Sequence, residues 1–328
     1  FRGILFPMTT KTWCAVCLFL AAVIGLFLIM PNRGSAHASE GLEANVQIAM
    51  KNVMYHYTGP IAVHVVQLQG EILPTKSGDI PVFDDKNSFI LALNSAEIAI
   101  SCDALARVLN QNVLSASNAP IKDLSIESKN NQLVIKGKLP QKGDVSFETT
   151  GVLKVEGDGR IRLHTEHLKA AHLPVKGLLD LLGMDIARMI DTKKIQGISA
   201  DKDDLILNPE EILPPPHIQG RVTAVRVQGN DIVQVFGKAQ GETFAAKQTG
   251  NYLAFRHGDL RFGKLTMRDS DLIMIDMDPR DPFDFYLDHY QDQLVAGYTK
   301  STPAFGLRAY ARDYDKLPHR SMANQRKR

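Results

Sequence analysis

Six aspartates (Asp276, Asp278, Asp281, Asp284, Asp288 and Asp292) and His289 crowd the stretch DMDPRDPFDFYLDHYQDQ, from Asp276 to Gln293. Carboxylates three or four residues apart on a helix can hold a hard divalent cation, which takes several oxygen ligands. Asp284, Asp288 and Asp292 have that spacing, with Asp276 and Asp278 close by in the chain. One reading is therefore a metal-dependent hydrolase. The other is a helix start. Asp281 offers an N-cap acceptor, and Pro282 suits the first helical position, where a missing N–H costs nothing. Asp284, three residues after the cap, meets the positive end of the helix dipole. Phe283, Leu287, Tyr290 and Leu294 then form a buried face and Asp284, Asp288 and Asp292 a wet one. The stretch lacks the glycine and closing glutamate of an EF-hand loop. The expectation is a capped amphipathic helix, with no metal and no other cofactor.

A second group, His164, Glu166, His167 and His172, has the residue types of a zinc site. On a strand, His164 and Glu166 share a face and His167 points away, so three ligands do not converge. The chain has no Gly-x-Ser-x-Gly elbow, His-Glu-x-x-His, P-loop or Gly-x-Gly-x-x-Gly. No residue is assigned a catalytic role, and the chain is expected not to be an enzyme.

The elements that carry these residues are mostly strands. NVQIAMKNVMYHY and IAVHVVQLQGEIL alternate around a TGP turn and predict a hairpin. EILPTKSGDIPVFDDKN reads as a loop, and SFILALNSAEIAIS as one long strand or a pair. Ser101 then caps a helix over 102–114, with Leu105, Val108, Leu109, Val113 and Leu114 on one face. Further strands run to RIRLHTEHLKA, in which Ile161, Leu163 and Thr165 share a face. A very apolar helix follows over 175–190, carrying Leu178, Leu182, Ile186 and Met189. Paired strands RVTAVRVQG and DIVQVFG come next, then a strand-rich section to about Met277. Strands interrupted by two helices, without βαβ spacing, make this an α+β chain.

The chain has 328 residues, of which 44% are hydrophobic, enough for a large core. Its 38 basic and 36 acidic residues give a net charge of +2 and no reason to expect nucleic acid as a partner. Lys11 precedes an uncharged run from Trp13 to Met30, about 27 Å long as a helix and near the thickness of a bilayer core. Ala36-His37-Ala38 has the small-x-small form of a signal-peptidase site. Residues 1–38 are thus a cleaved signal peptide or an N-terminal membrane anchor, and the remainder is exported to the periplasmic or extracytoplasmic side. Cys14 and Cys17 fall in the apolar run, so Cys102 is the one thiol of the exported body and no disulfide forms within it.

From FILALNSAEIAIS through DALARVLNQNVL, PIKDLSIES, LVIKGKL and VSFETTGVLKVEGDGRIRLHTEHLKAAHLPVKGLLDLLG to HIQGRVTAVRVQG, the element order resembles the bacterial LmeA-like lipid-binding proteins. These are members of the tubular lipid-binding (TULIP) group, and the resemblance covers roughly residues 85–236. It implies a long curved antiparallel sheet wrapped around amphipathic helices, with phospholipid or another amphiphile bound in an apolar groove. It implies no catalytic residue. On this reading 39–236 is the lipid-binding domain, 237–297 a strand-rich C-terminal extension ending in a helix, and 298–328 an extended basic tail. The expected groove lining is Leu105, Leu109, Leu178, Leu182, Ile186 and Met189 from the helices, with Val222 and Val225 from the late strands. Burial of each methylene is worth about 0.8 kcal/mol, so an acyl chain can bind by area alone. The alternative is a membrane-anchored envelope scaffold whose core is filled by its own side chains and whose partner is another envelope protein.

Overall fold

The computed structural model describes residues 45–58, 61–115, 117, 119, 121–140, 143–170, 173–174, 197–201, 204–238 and 243–317. The expected helix over 175–190, with Leu178, Leu182, Ile186 and Met189, lies outside the described residues, as does the N-terminal apolar segment. Among the described residues no helix is long and apolar enough to cross a membrane.

The chain folds as a sheet-rich α+β structure around a curled sheet. Strands β1 (Val46–Thr58) and β2 (Ile61–Pro74) form the expected hairpin, and β3 (Phe89–Ser101) is one long strand antiparallel to β2. Their alternating apolar residues bury one face of each strand. The β2–β3 ladder slips twice, between Val65 and Gln67 and between Gln69 and Gly70, and such bulges bend the strands. At the second slip the main chain of β3 comes close on both sides. A Cβ on Gly70 would stand 2.3 Å from the Ala92 carbonyl oxygen, and one on Gly237 would stand 1.9 Å from that of Asn94. Gly237 also has φ +59°, so only glycine serves there without strain.

Strands β12 (Val222–Gln228) and β13 (Asp231–Gly237) extend the sheet beyond β3. On the other side β1 pairs with β14 (Tyr252–His257), followed by β17 (Ser270–Asp276), β20 (Leu307–Ala311) and β19 (Tyr298–Ser301). Residues after 237 therefore complete the same sheet, with β1 near its middle. The boundary expected at 236/237 is not a break in the architecture, and part of the expected tail, Tyr298–Ala311, holds two strands.

The Asp281–Leu294 stretch is corrected as well. Phe283–Tyr286 is a strand, β18, parallel to Val53–His56 of β1. A 3-10 turn, Leu287–His289, leads into a short helix α3 (Tyr290–Val295). Phe283 and Phe285 are both buried, the period of a strand, while Phe283, Leu287 and Tyr290 fit a helix too. Pairing with a strand more than 200 residues earlier decided between the two periods.

The second sheet runs β4 (Lys122–Lys129), β5 (Gln132–Leu139), β6 (Val145–Val155), β7 (Ile161–Ala170), β10 (Asp204–Leu207) and β9 (Ile198–Asp201). Between the sheets in chain order lies helix α1 (Cys102–Val108), capped as expected by Ser101, whose hydroxyl accepts from the Ala104 N–H at 3.1 Å. It continues as a π turn over Leu109–Val113. Asn110 in that turn grips Leu124 on β4, its Nδ2 donating to the carbonyl at 2.8 Å and its Oδ1 accepting from the N–H at 3.1 Å. This pair of bonds fixes the helix against the second sheet.

Candidate ligand cavity

A cavity lies between the β3–β13 end of the first sheet and the inner face of the second. Its volume is about 140 Å³, and it opens to solvent at a mouth. Ile100 and Ile232, paired across β3 and β13, form one wall. The alternating inner residues of the second sheet form the opposite wall, among them Leu124 and Ile126 of β4, Leu133 and Ile135 of β5, Phe147 of β6, and Ile161 and Leu163 of β7. Leu105, Leu109 and Leu114 close one side from α1 and the π turn. The other side is closed by Ile198, Leu205 and Leu207 of β9 and β10 and by Ile212 of the one-turn helix α2 (Pro209–Ile212).

Among the described residues twenty of the twenty-two that line it are apolar, the exceptions being Thr149 and Gln234. A dry apolar cavity of about 150 Å³ is large enough to take up benzene. Of the residues expected to line a groove, Leu105 and Leu109 are here. Val222 and Val225 are not. Val225 lies across from Gln234 on the edge strand, one strand beyond the wall, and Val222 is buried opposite Phe236. The contribution of β4–β7 was missed, although its signal, a two-residue apolar period in each strand, is plain in the sequence.

The aspartate-rich stretch forms a different kind of site. The carboxylates of Asp278, Asp281 and Asp313 lie within 4.8 Å of one another, the spacing of a cation site. The Lys316 ammonium already sits among them, at 3.1 Å from Asp278, 3.0 Å from Asp281 and 2.9 Å from Asp313. Its charge does locally what a metal would do, and these three partners hold its proton more tightly than usual. Asp284, expected on a wet face, instead meets His56 Nε2 at 2.6 Å, and the His56 ring stacks on Tyr286 at 3.7 Å. Asp284, Asp288 and Asp292 do not converge, because the first is on β18, the second in the 3-10 turn and the third on α3.

Next to this cluster runs a polar chain that is half-buried at His64 and Asn52 and buried at Asn251 and Asp276. His64 Nε2 meets Asn52 Oδ1 at 2.8 Å, Asn52 Nδ2 donates to Asn251 Oδ1 at 2.9 Å, and Asn251 Nδ2 donates to Asp276 Oδ2 at 2.8 Å. Burial pushes the Asp276 carboxyl up to about 6, against the hydrogen bonds from the Asp278 N–H and Asn251 that favour its charged form. A folded-state value above the unfolded value of about 4 means that the native protein holds the extra proton. The corresponding stability is present below pH ~4 and lost as pH rises to ~6, by about 1–2 kcal/mol after allowance for partial solvation. Asp276→Asn, with no proton to lose, is expected to lack this fall. The difference in urea midpoints between the two proteins at pH 4.5 and pH 7 measures it, and the opposing titration of His64, lowered by burial, cancels in that difference. An unchanged difference across this range refutes it.

The histidine cluster on the second sheet is an ion network. His164 Nδ1 meets Asp204 at 2.6 Å, and Arg162 bonds Asp204 and Asp201, each at 2.8 Å. Glu166 accepts from Gln132 at 3.4 Å. The side chain of His167 and all of His172 lie outside the described residues.

The chain matches no family model, no curated protein and no solved structure, so a functional reading rests on the cavity and the sequence alone.

Proposed function

We propose that this protein binds a phospholipid or similar amphiphile noncovalently, as a carrier or a maintenance factor of the cell envelope, and has no catalytic role. The observation that carries this reading is the cavity wall, apolar at twenty of its twenty-two described residues. Such a surface gains about 25 cal/mol per Å² when an apolar ligand removes it from water. The resemblance to the LmeA-like family supports the same reading, with the curled sheet as a TULIP-like half-tube. The N-terminal apolar segment would export the chain and hold it at the membrane or be removed.

Purification of the full-length protein from membranes, followed by native mass spectrometry and solvent extraction, tests this. One amphiphile per chain is the expected result. A chain that carries no lipid, and that takes none up from vesicles, supports the envelope scaffold instead.

A further inference from the structure

The two polar side chains among the described residues of the cavity wall bear on the chemistry of its occupant, given the amphiphile reading on which this rests. Gln234 Oε1 is buried and has no hydrogen-bond partner among the described residues. A buried amide oxygen without a partner is destabilising, and native structures seldom carry one without a use. Thr149, on the facing sheet, donates its single hydroxyl hydrogen to the Glu166 carbonyl at 2.9 Å. Its oxygen is left able only to accept. Both polar groups in the wall therefore call for a donor. No lysine, arginine, histidine, aspartate or glutamate lines the cavity among the described residues. An ionised head group drawn inside would lose its hydration with no counter-charge to replace it.

We infer that the part of the ligand inside the cavity is uncharged and carries a hydroxyl group, which donates a hydrogen bond to Gln234. The class is a long-chain alcohol or an acylglycerol with a free hydroxyl. Phosphate or carboxylate head groups stay outside the cavity.

The test uses the full-length protein, delipidated, with a fluorescent apolar reporter displaced by three probes of equal chain length: decane, decan-1-ol and decanoate at pH 8. Decanol is expected to bind about tenfold more tightly than ionised decanoate, which leaves its carboxylate outside and has no hydrogen to donate to Gln234. In Gln234→Leu, decanol should lose about tenfold in affinity while decane binds as in the wild type. Retained decane binding shows that the variant is folded and its cavity intact, and Thr149→Val, which leaves Gln234 in place, should keep the affinity for decanol. The inference is overturned if decanoate binds as well as decanol, or if Gln234→Leu weakens decane and decanol equally. If neither the reporter nor any probe binds to the wild type, the amphiphile reading itself falls.

Discussion

Phe83→Ala is expected to lower the unfolding free energy by about 4 kcal/mol, the upper part of the range for large-to-small changes in a core. Phe83 lies between β2 and β3 in a stretch whose composition reads as loop, yet it is 1% exposed. Its backbone N–H donates to the Arg261 carbonyl at 2.7 Å, which seats the loop on the short hairpin β15–β16 (Leu260–Phe262 and Leu265–Met267). Its ring centroid lies 4.9 Å from Phe262, 5.4 Å from both Phe255 and Tyr290, 6.1 Å from Phe285 and 6.3 Å from Phe89. Each aromatic pair adds about 0.5–1.5 kcal/mol beyond area, and five of them share this ring. The site has little means to collapse, because its neighbours come from four separate strands and a helix. Denaturant midpoints with an unchanged slope measure the loss. Phe83→Leu should cost much less, and a loss below about 1 kcal/mol for the alanine variant would show the cluster to be loosely packed. No ring of this cluster lines the cavity, so amphiphile binding should survive in the folded variant.

That contrast, rings packed at one end and a void at the other, was only partly legible in the sequence. Strands β1 to β7 announce themselves by a two-residue apolar period, and α1 by the Ser101 cap with leucines at helical spacing. These signals are local. The stretch after Asp281 satisfied both periods, and its conformation was set by a distant strand: Asp284 and Phe285 pair with Met54 and Tyr55. Lys316, which neutralises the aspartate cluster, is likewise 35 residues or more from Asp278 and Asp281 in the chain. Nothing in a window of 10 or 20 residues encodes such pairings. The cavity was half visible for the same reason. Leu105 and Leu109 follow from helix periodicity. Which sheet faces them depends on how β4–β7 fold back, a matter of loop-closure entropy and non-local pairing.

Tryptophan placed on either wall of the cavity, Ile135→Trp on β5 or Ile232→Trp on β13, is expected to weaken amphiphile binding about 100-fold while changing stability little. In a well-packed core either change would force shifts costing about 1–3 kcal/mol. Here each indole has atom-free space in front of it, so the added surface is buried without displacing neighbours. A ring that occupies the room of four or more methylenes of the ligand forfeits about 3 kcal/mol at 0.8 kcal/mol each, a fall in affinity of roughly 100-fold. The two positions line the same cavity from different sheets. A shared loss of binding with retained midpoints would therefore be a property of the space between them and not of either strand. Reporter displacement gives the affinity, and thermal or urea unfolding gives the stability. Destabilisation of both variants by several kcal/mol would mean that side chains fill the gap in solution. The amphiphile would then have no place to enter.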